Sequence, residues 1–204
     1  MSIGIEQANK NYTQSAPYIK LIRDCVTGEP ALKARENREL YLPIPSCEDE
    51  TSDESVKRYN KFVKRAEYDN VPSTTLEDLT GALNRQPNNF DGVPTAMQYI
   101  ADDADGDGLS LSEHIKIAQS ELLQMKFCGL LAEYSDLSGL GIDDAQLTDE
   151  QVRQLGLRSS IKLYPRDSVL NWNYRRVNGV NQLAWILLRE VETKQDETGF
   201  GIEE

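Results

Sequence analysis

The feature that most limits this fold is a change of hydrophobic rhythm near residue 127. Before it, apolar residues recur at three- and four-residue spacing, the period of amphipathic helices; after it they gather into short runs with strand character. Helices first and strands afterwards predict an α+β chain. The expected plan is an N-terminal helical region of about four helices over residues 1–126, followed by a small, mainly antiparallel sheet in a β-rich region over residues 127–204.

Individual elements follow from local signals. Tyr18, Leu21, Ile22 and Cys25 predict a helix from Ser15 that breaks at Gly28 and Pro30. Thr51 with Glu54, Thr74 with Glu77 and Ser110 with Glu113 each have the spacing of a capping box. They precede apolar stripes at Val56, Tyr59, Val63 and Ala66, at Leu76, Leu79 and Leu83, and at Ile115, Ala118, Leu122 and Met125. Residues 94–101 suggest one or two further helical turns. A Gly- and Asp-rich linker over 135–146 leads to a helical insertion at 147–156, capped by Thr148 and Gln151 and ended by Gly156. Strands are expected at 127–134, 160–164, 170–177 and 182–191, the last two joined by Asn178-Gly179, a hairpin signal whose loop could exceed two residues. Residues 192–204 read as a turn whose returning strand is absent, so truncation at the C-terminus is expected.

Composition narrows the function. A net charge of −12 opposes binding of nucleic acid as the main activity, because that affinity comes from Lys and Arg releasing counterions from phosphates. Passage of DNA past an acidic wall is compatible with it. Cys25, Cys47 and Cys128 lack CxxC spacing, which predicts reduced thiols rather than a disulfide framework or zinc site. No apolar run has membrane-spanning length, and Met1 to Lys10 lacks the build of a secretory signal, so a cytosolic site of synthesis is expected.

The most chemical-looking stretch is Asp103-Ala104-Asp105-Gly106-Asp107-Gly108, the opening of an EF-hand calcium loop. Such a loop needs a bidentate Glu at position twelve, where this chain has His114; Glu113 comes one residue early, and Ser110 stands at the normally apolar position eight. One helical position turns a side chain by about 100°, so Glu113 is misaimed for closing the cage. Ser110 and Glu113 read more simply as a capping box with the Asp-Gly pairs making the turn before it. Calcium binding by Asp103, Asp105 and Asp107 stays as the alternative.

Other candidates are weaker. His114 is the sole histidine, which excludes His-pair metal sites and reads as a polar helix residue. Walker, dinucleotide-glycine and nucleophile-elbow patterns do not occur in the sequence, so neither catalysis nor a cofactor is expected. Acidic pairs such as Asp102/Asp103 and Asp143/Asp144 read as solvated loop charge. Trp172, Tyr174 and Trp185 read as core more than as a partner surface. Lys57, Arg58, Lys61, Lys64 and Arg65 read as a solvated helix face.

The order of short motifs resembles a family. Ile22-Arg23-Asp24-Cys25-Val26 with Gly28-Glu29 and Ala31-Leu32-Lys33, then Tyr41-Leu42-Pro43, is similar to the start of an uncharacterised portal-like phage family. Arg58-Tyr59, Arg65-Ala66, Thr75-Leu76 with Gly81, Asp102 to Asp107 with Gly108-Leu109-Ser110-Leu111, Gly129-Leu130-Leu131 and Tyr164-Pro165 to Asn171-Trp172 continue the succession, over residues 12 to 192. The resemblance implies the N-terminal wing-like region of a bacteriophage portal protein, the head-tail connector. It implies a structural homo-oligomer, a dodecameric ring when full length, at a capsid vertex of the virion and in the host cytoplasm during assembly. Implied partners are capsid or scaffolding protein, terminase and a tail adaptor, with transient passage of double-stranded DNA. The channel helices and motor-docking segment of such proteins lie later in the chain, so this piece would be the outer wing.

Overall fold

The computed structural model describes residues 7–45, 52–135, 151, 154–190, 194–195 and 202–203. The chain is α+β, with helices in its N-terminal half and antiparallel strand pairs after them. Helix α1 spans Lys10–Thr27, α2 Glu29–Lys33, α3 Arg38–Tyr41, α4 Asp53–Arg65, α5 Val71–Leu83 and α6 Leu111–Met125. Short α2 and α3 were not expected. Two 3₁₀ turns matter as well, Thr95–Ala101 where extra helical turns were foreseen and Arg166–Ser168 ahead of the third strand.

Helix starts differ from the capping-box expectations in two of three cases. Helix α1 begins at Lys10, because the Asn9 side chain accepts the Asn11 amide and caps it; Pro17 lies inside the helix. Helix α5 is capped by Asn70, whose side chain accepts the Ser73 amide, so Thr74 falls within the first turn and bonds back to the Asn70 carbonyl. In α4 the N-cap is Ser52, with no side-chain cap bond; Thr51 lies outside the described residues. Acidic Asp53 and Glu54 in its first turn and Lys64 and Arg65 in its last still suit the helix dipole.

The buried stripes are rotated from the expected ones. In α6 the inward residues are His114, Ala118, Glu121 and Met125, while Leu122 is exposed; in α1 they centre on Ile19 and Asp24, leaving Tyr18 and Leu21 outside. Helix α5 buries Thr80 and exposes Leu79 and Leu83, and α4 buries Ser55 and Val63 but exposes Val56. Some inward polar side chains are satisfied by partners, as Asp24 is by Lys20 of the same helix and by Tyr41 of α3, and Glu121 by Arg23 and the Arg166 amide.

Instead of one sheet there are separate two-stranded ladders. Strand β1 (Gly129–Tyr134) pairs with β2 (Ser159–Tyr164), and β3 (Val169–Val177) with β4 (Val180–Leu188), all antiparallel. The β3–β4 turn is two residues long: Val177 faces Val180, and Asn178 and Gly179 have φ of 50° and 84°, the left-handed pair that matches strand twist. Residues 194–195 and 202–203 form a further short antiparallel pair, separate from the β3–β4 ladder. Of the 147–156 insertion, positions 151 and 154 are helical and Gly156 has φ 65°, as its C′ role requires; Thr148 and most of the 135–146 linker lie outside the described residues.

Candidate functional site

The Asp loop is built into the fold by its backbone. Ala104 is fully buried, donates its amide to the Leu109 carbonyl at 2.7 Å and accepts the Ile161 amide at 2.7 Å, tying the loop to β2. Asp103 accepts the amides of Gly106 and Gly108 through Oδ1, at 2.9 and 3.0 Å. Through Oδ2 it pairs with the Arg158 guanidinium at 2.7 Å. Asp105 accepts the amides of Asp107 and Leu109 at 2.9 and 3.1 Å. Positive φ at Gly106 and Gly108 permits this tight winding.

Arg158 is the piece that sequence patterns missed. Its other Nη donates to the Gly106 carbonyl at 2.9 Å, so one guanidinium bridges a carboxylate and a main-chain oxygen of the loop. The Asp103 carboxylate is the first ligand a calcium ion would recruit there. The amides of Gly108 and Gly106, with Arg158, hold the Asp103 carboxyl below its ordinary range against the opposing effect of burial.

Glu113 performs the capping role. Ser110 Oγ accepts the Glu113 amide, and the Glu113 carboxylate accepts the Ser110 amide at 3.2 Å and its hydroxyl at 2.7 Å. Those bonds from Ser110 also lower the Glu113 pKa. Asp103, Asp105 and Asp107 thus share a turn with Glu113 engaged elsewhere, and among the described residues no three His, Cys, Asp or Glu side chains are grouped to hold a metal ion. His114 lies in α6 as expected and is buried: it is 4% exposed, its Nε2 has no partner among the described residues, and it lines an open cleft of about 540 Å³ with Asp105, Asp107, Tyr164 and Glu190.

A second polar constellation locks helices to strands. Arg23 on α1 reaches Glu121 on α6 at 2.7 Å and Asp167 in the 3₁₀ turn at 3.0 Å, and donates to Gln124. Glu121 also accepts the buried Arg166 amide at 2.8 Å. Burial opposes the Arg23 charge, but bonding and attraction from Glu121 and Asp167 outweigh it and raise its pKa. The Arg166 guanidinium lies 5.3 to 5.6 Å from the ring centres of Tyr12, Phe127 and Trp172, a three-sided cation–π seat.

No family model and no curated protein matches this chain.

The remaining expected residues divide by environment. Trp172 packs on Phe127 at 5.9 Å, Trp185 is half-buried, and Tyr174 stands 57% exposed. Lys57, Arg58, Lys61, Lys64 and Arg65 form an exposed face of α4, where Arg58 pairs weakly with Glu54. Cys25 and Cys128 are free thiols, and burial pushes the Cys128 thiol up; Cys47, Asp143 and Asp144 lie outside the described residues. No described helix is long and apolar enough to cross a membrane. Asp103, Asp105, Arg158, Arg23, Glu121 and Asp167 bond to main chain or to side chains of other segments, an arrangement that fixes one element against another.

Proposed function

We propose that this chain is a structural assembly subunit, the wing-like part of a phage portal ring whose full-length form is a conduit for packaged DNA and the attachment point for the tail. The supporting observation is where side chains are spent. Asp103, Asp105 and Glu113 serve the loop and cap, Arg23, Glu121 and Asp167 serve the joint, and large apolar side chains such as Tyr174, Val180 and Leu183 stay uncovered. Exposed apolar surface of that kind marks contact with another protein. An acidic exterior also suits a conduit that must not grip DNA. In this reading the partners are further copies, capsid or scaffolding protein, terminase and a tail adaptor.

Size-exclusion chromatography with light scattering tests it. The reading expects assemblies larger than a monomer that grow with concentration; a strict monomer at every concentration and salt level overturns it. The rival calcium reading has no comparable support, since Arg158 already pairs with Asp103, the first carboxylate a cation would take, and the Leu109 carbonyl accepts the Ala104 amide.

A further inference from the structure

Two uncovered surfaces touch α1, a helix about 27 Å long at its 18 residues. At its N-terminal end, the Asn9 amide donates to the Leu170 carbonyl at 2.9 Å and its side chain to Asn171, anchoring the base of the β3–β4 hairpin. At the other end, Val26 lines a groove of about 730 Å³ between α5 and α6.

The hairpin is held only near its base. Val169 and Asn171 are buried and Trp172 packs on Phe127, but beyond Asn173 both strands are exposed apart from half-buried Val177. Trp172 and Tyr174 alternate onto one face of β3, and their partners Ile186 and Leu183 share that face because a register shift between Asn173 and Tyr174 skips Ala184, so an apolar strip runs from the body out along the ribbon. A lone two-stranded ribbon is marginal in water and gains from being covered. Residues 169–188 contain Arg175 and Arg176 and no Asp or Glu, a charge of +2 on a chain of −12, so the remainder carries −14. The surface most attractive to this arm is the rest of another copy.

The groove offers complementary chemistry. Leu76, Leu109 and Ile117 supply apolar walls, with the carboxylates of Glu77 and Glu113 and the single amine of Lys116. Thr80 in the same wall is 5% exposed, and its hydroxyl has no hydrogen-bond partner among the described residues.

We propose that the outer half of the β3–β4 hairpin of one copy seats in the α5–α6 groove of the next, with Tyr174 and Leu183 against Leu76 and Ile117, and Arg176 facing Glu77 and Glu113. The inference rests on the assembly reading above and names its contact surface. Because arm and groove are different surfaces of the chain, the contact is heterologous and runs head to tail. Repetition then yields a ring if the rotation closes and a filament if it does not.

The test uses the 204-residue chain in native mass spectrometry. Leu183→Asp spoils the arm and Ile117→Asp the groove; both positions are exposed, at 51% and 47%, and circular dichroism confirms folding. Each variant alone is expected to lose self-association by about tenfold or more. Their equimolar mixture is expected to form dimers and nothing larger, because one intact arm meets one intact groove. Arg176→Glu, weakening assembly, is expected to be rescued by Glu77→Arg, which covers a misfolded aspartate variant. Wild-type assembly that persists in both aspartate variants, or a mixture that stays monomeric, overturns this contact and leaves the assembly function standing. A monomeric wild type overturns both.

Discussion

Glu121 offers the sharpest test of how helices and strands are held together. It is 6% exposed, and one oxygen, Oε1, accepts both the Arg23 guanidinium at 2.7 Å and the Arg166 amide at 2.8 Å. Glu121→Leu removes a charge-assisted bond, worth about 1.5–3 kcal/mol, and strands a buried N–H, at roughly 1–3 kcal/mol. Arg23 keeps Asp167 and is 28% exposed, so solvent and the surviving partner offset part of the first loss. The expected cost is about 3 kcal/mol, which for a chain of this size lowers Tm by roughly 6–12 °C. Glu121→Gln keeps an acceptor for the Arg166 amide and is expected to cost about 1 kcal/mol. Urea unfolding of both variants, with a double-mutant cycle against Arg23→Met, separates the two contributions; a coupling of about 1–3 kcal/mol is expected. A Glu121→Leu protein within about 0.5 kcal/mol of wild type would refute the joint.

Alkaline stability follows from two tyrosines. Burial and its bond to Asp24 push the Tyr41 pKa up to about 12, and the bond from Tyr164 to Glu190, with burial, pushes Tyr164 up to about 12. A raised folded pKa contributes stability that is complete below the unfolded value near 10 and disappears as pH climbs through about 12. Denaturant titrations across that window are expected to show the loss, reduced in Tyr164→Phe; a flat profile contradicts it. Gly28→Ala forces a side chain onto φ 86° with its Cβ 2.5 Å from Asn70 Nδ2, so a loss of about 2 kcal/mol or more is expected by thermal unfolding. Calcium titrated calorimetrically is expected to give no saturable heat at millimolar levels. Micromolar binding abolished by Asp105→Ala would mean that Arg158 yields its place to the ion.

The class of fold was legible because helix and strand periods are local properties, and the Asn178-Gly179 turn because both its residues tolerate positive φ. Helix faces were misread where polar residues turn inward. Reading a stripe assumes that apolar side chains define the inside, whereas His114, Thr80, Asp24 and Glu121 are buried here. The Asp loop was recognisable as a turn with a capping box, but its partner Arg158 lies 55 positions beyond Asp103, and nothing in that spacing announces the pair. Arg23 with Asp167 is harder still, 144 residues apart.

By itself the sequence determined the succession of helices and strands, the acid excess, the loop at Asp103 to Gly108 and the cap at Ser110. Each follows from neighbours within a few positions, where backbone preference and short-range hydrogen bonding dominate. Tertiary structure decided which helix faces are buried, that the strands form separate pairs, and that Arg158, Arg23 and Arg166 act as joints. Those outcomes depend on satisfying buried polar groups across distant segments, a requirement fixed only when the elements pack.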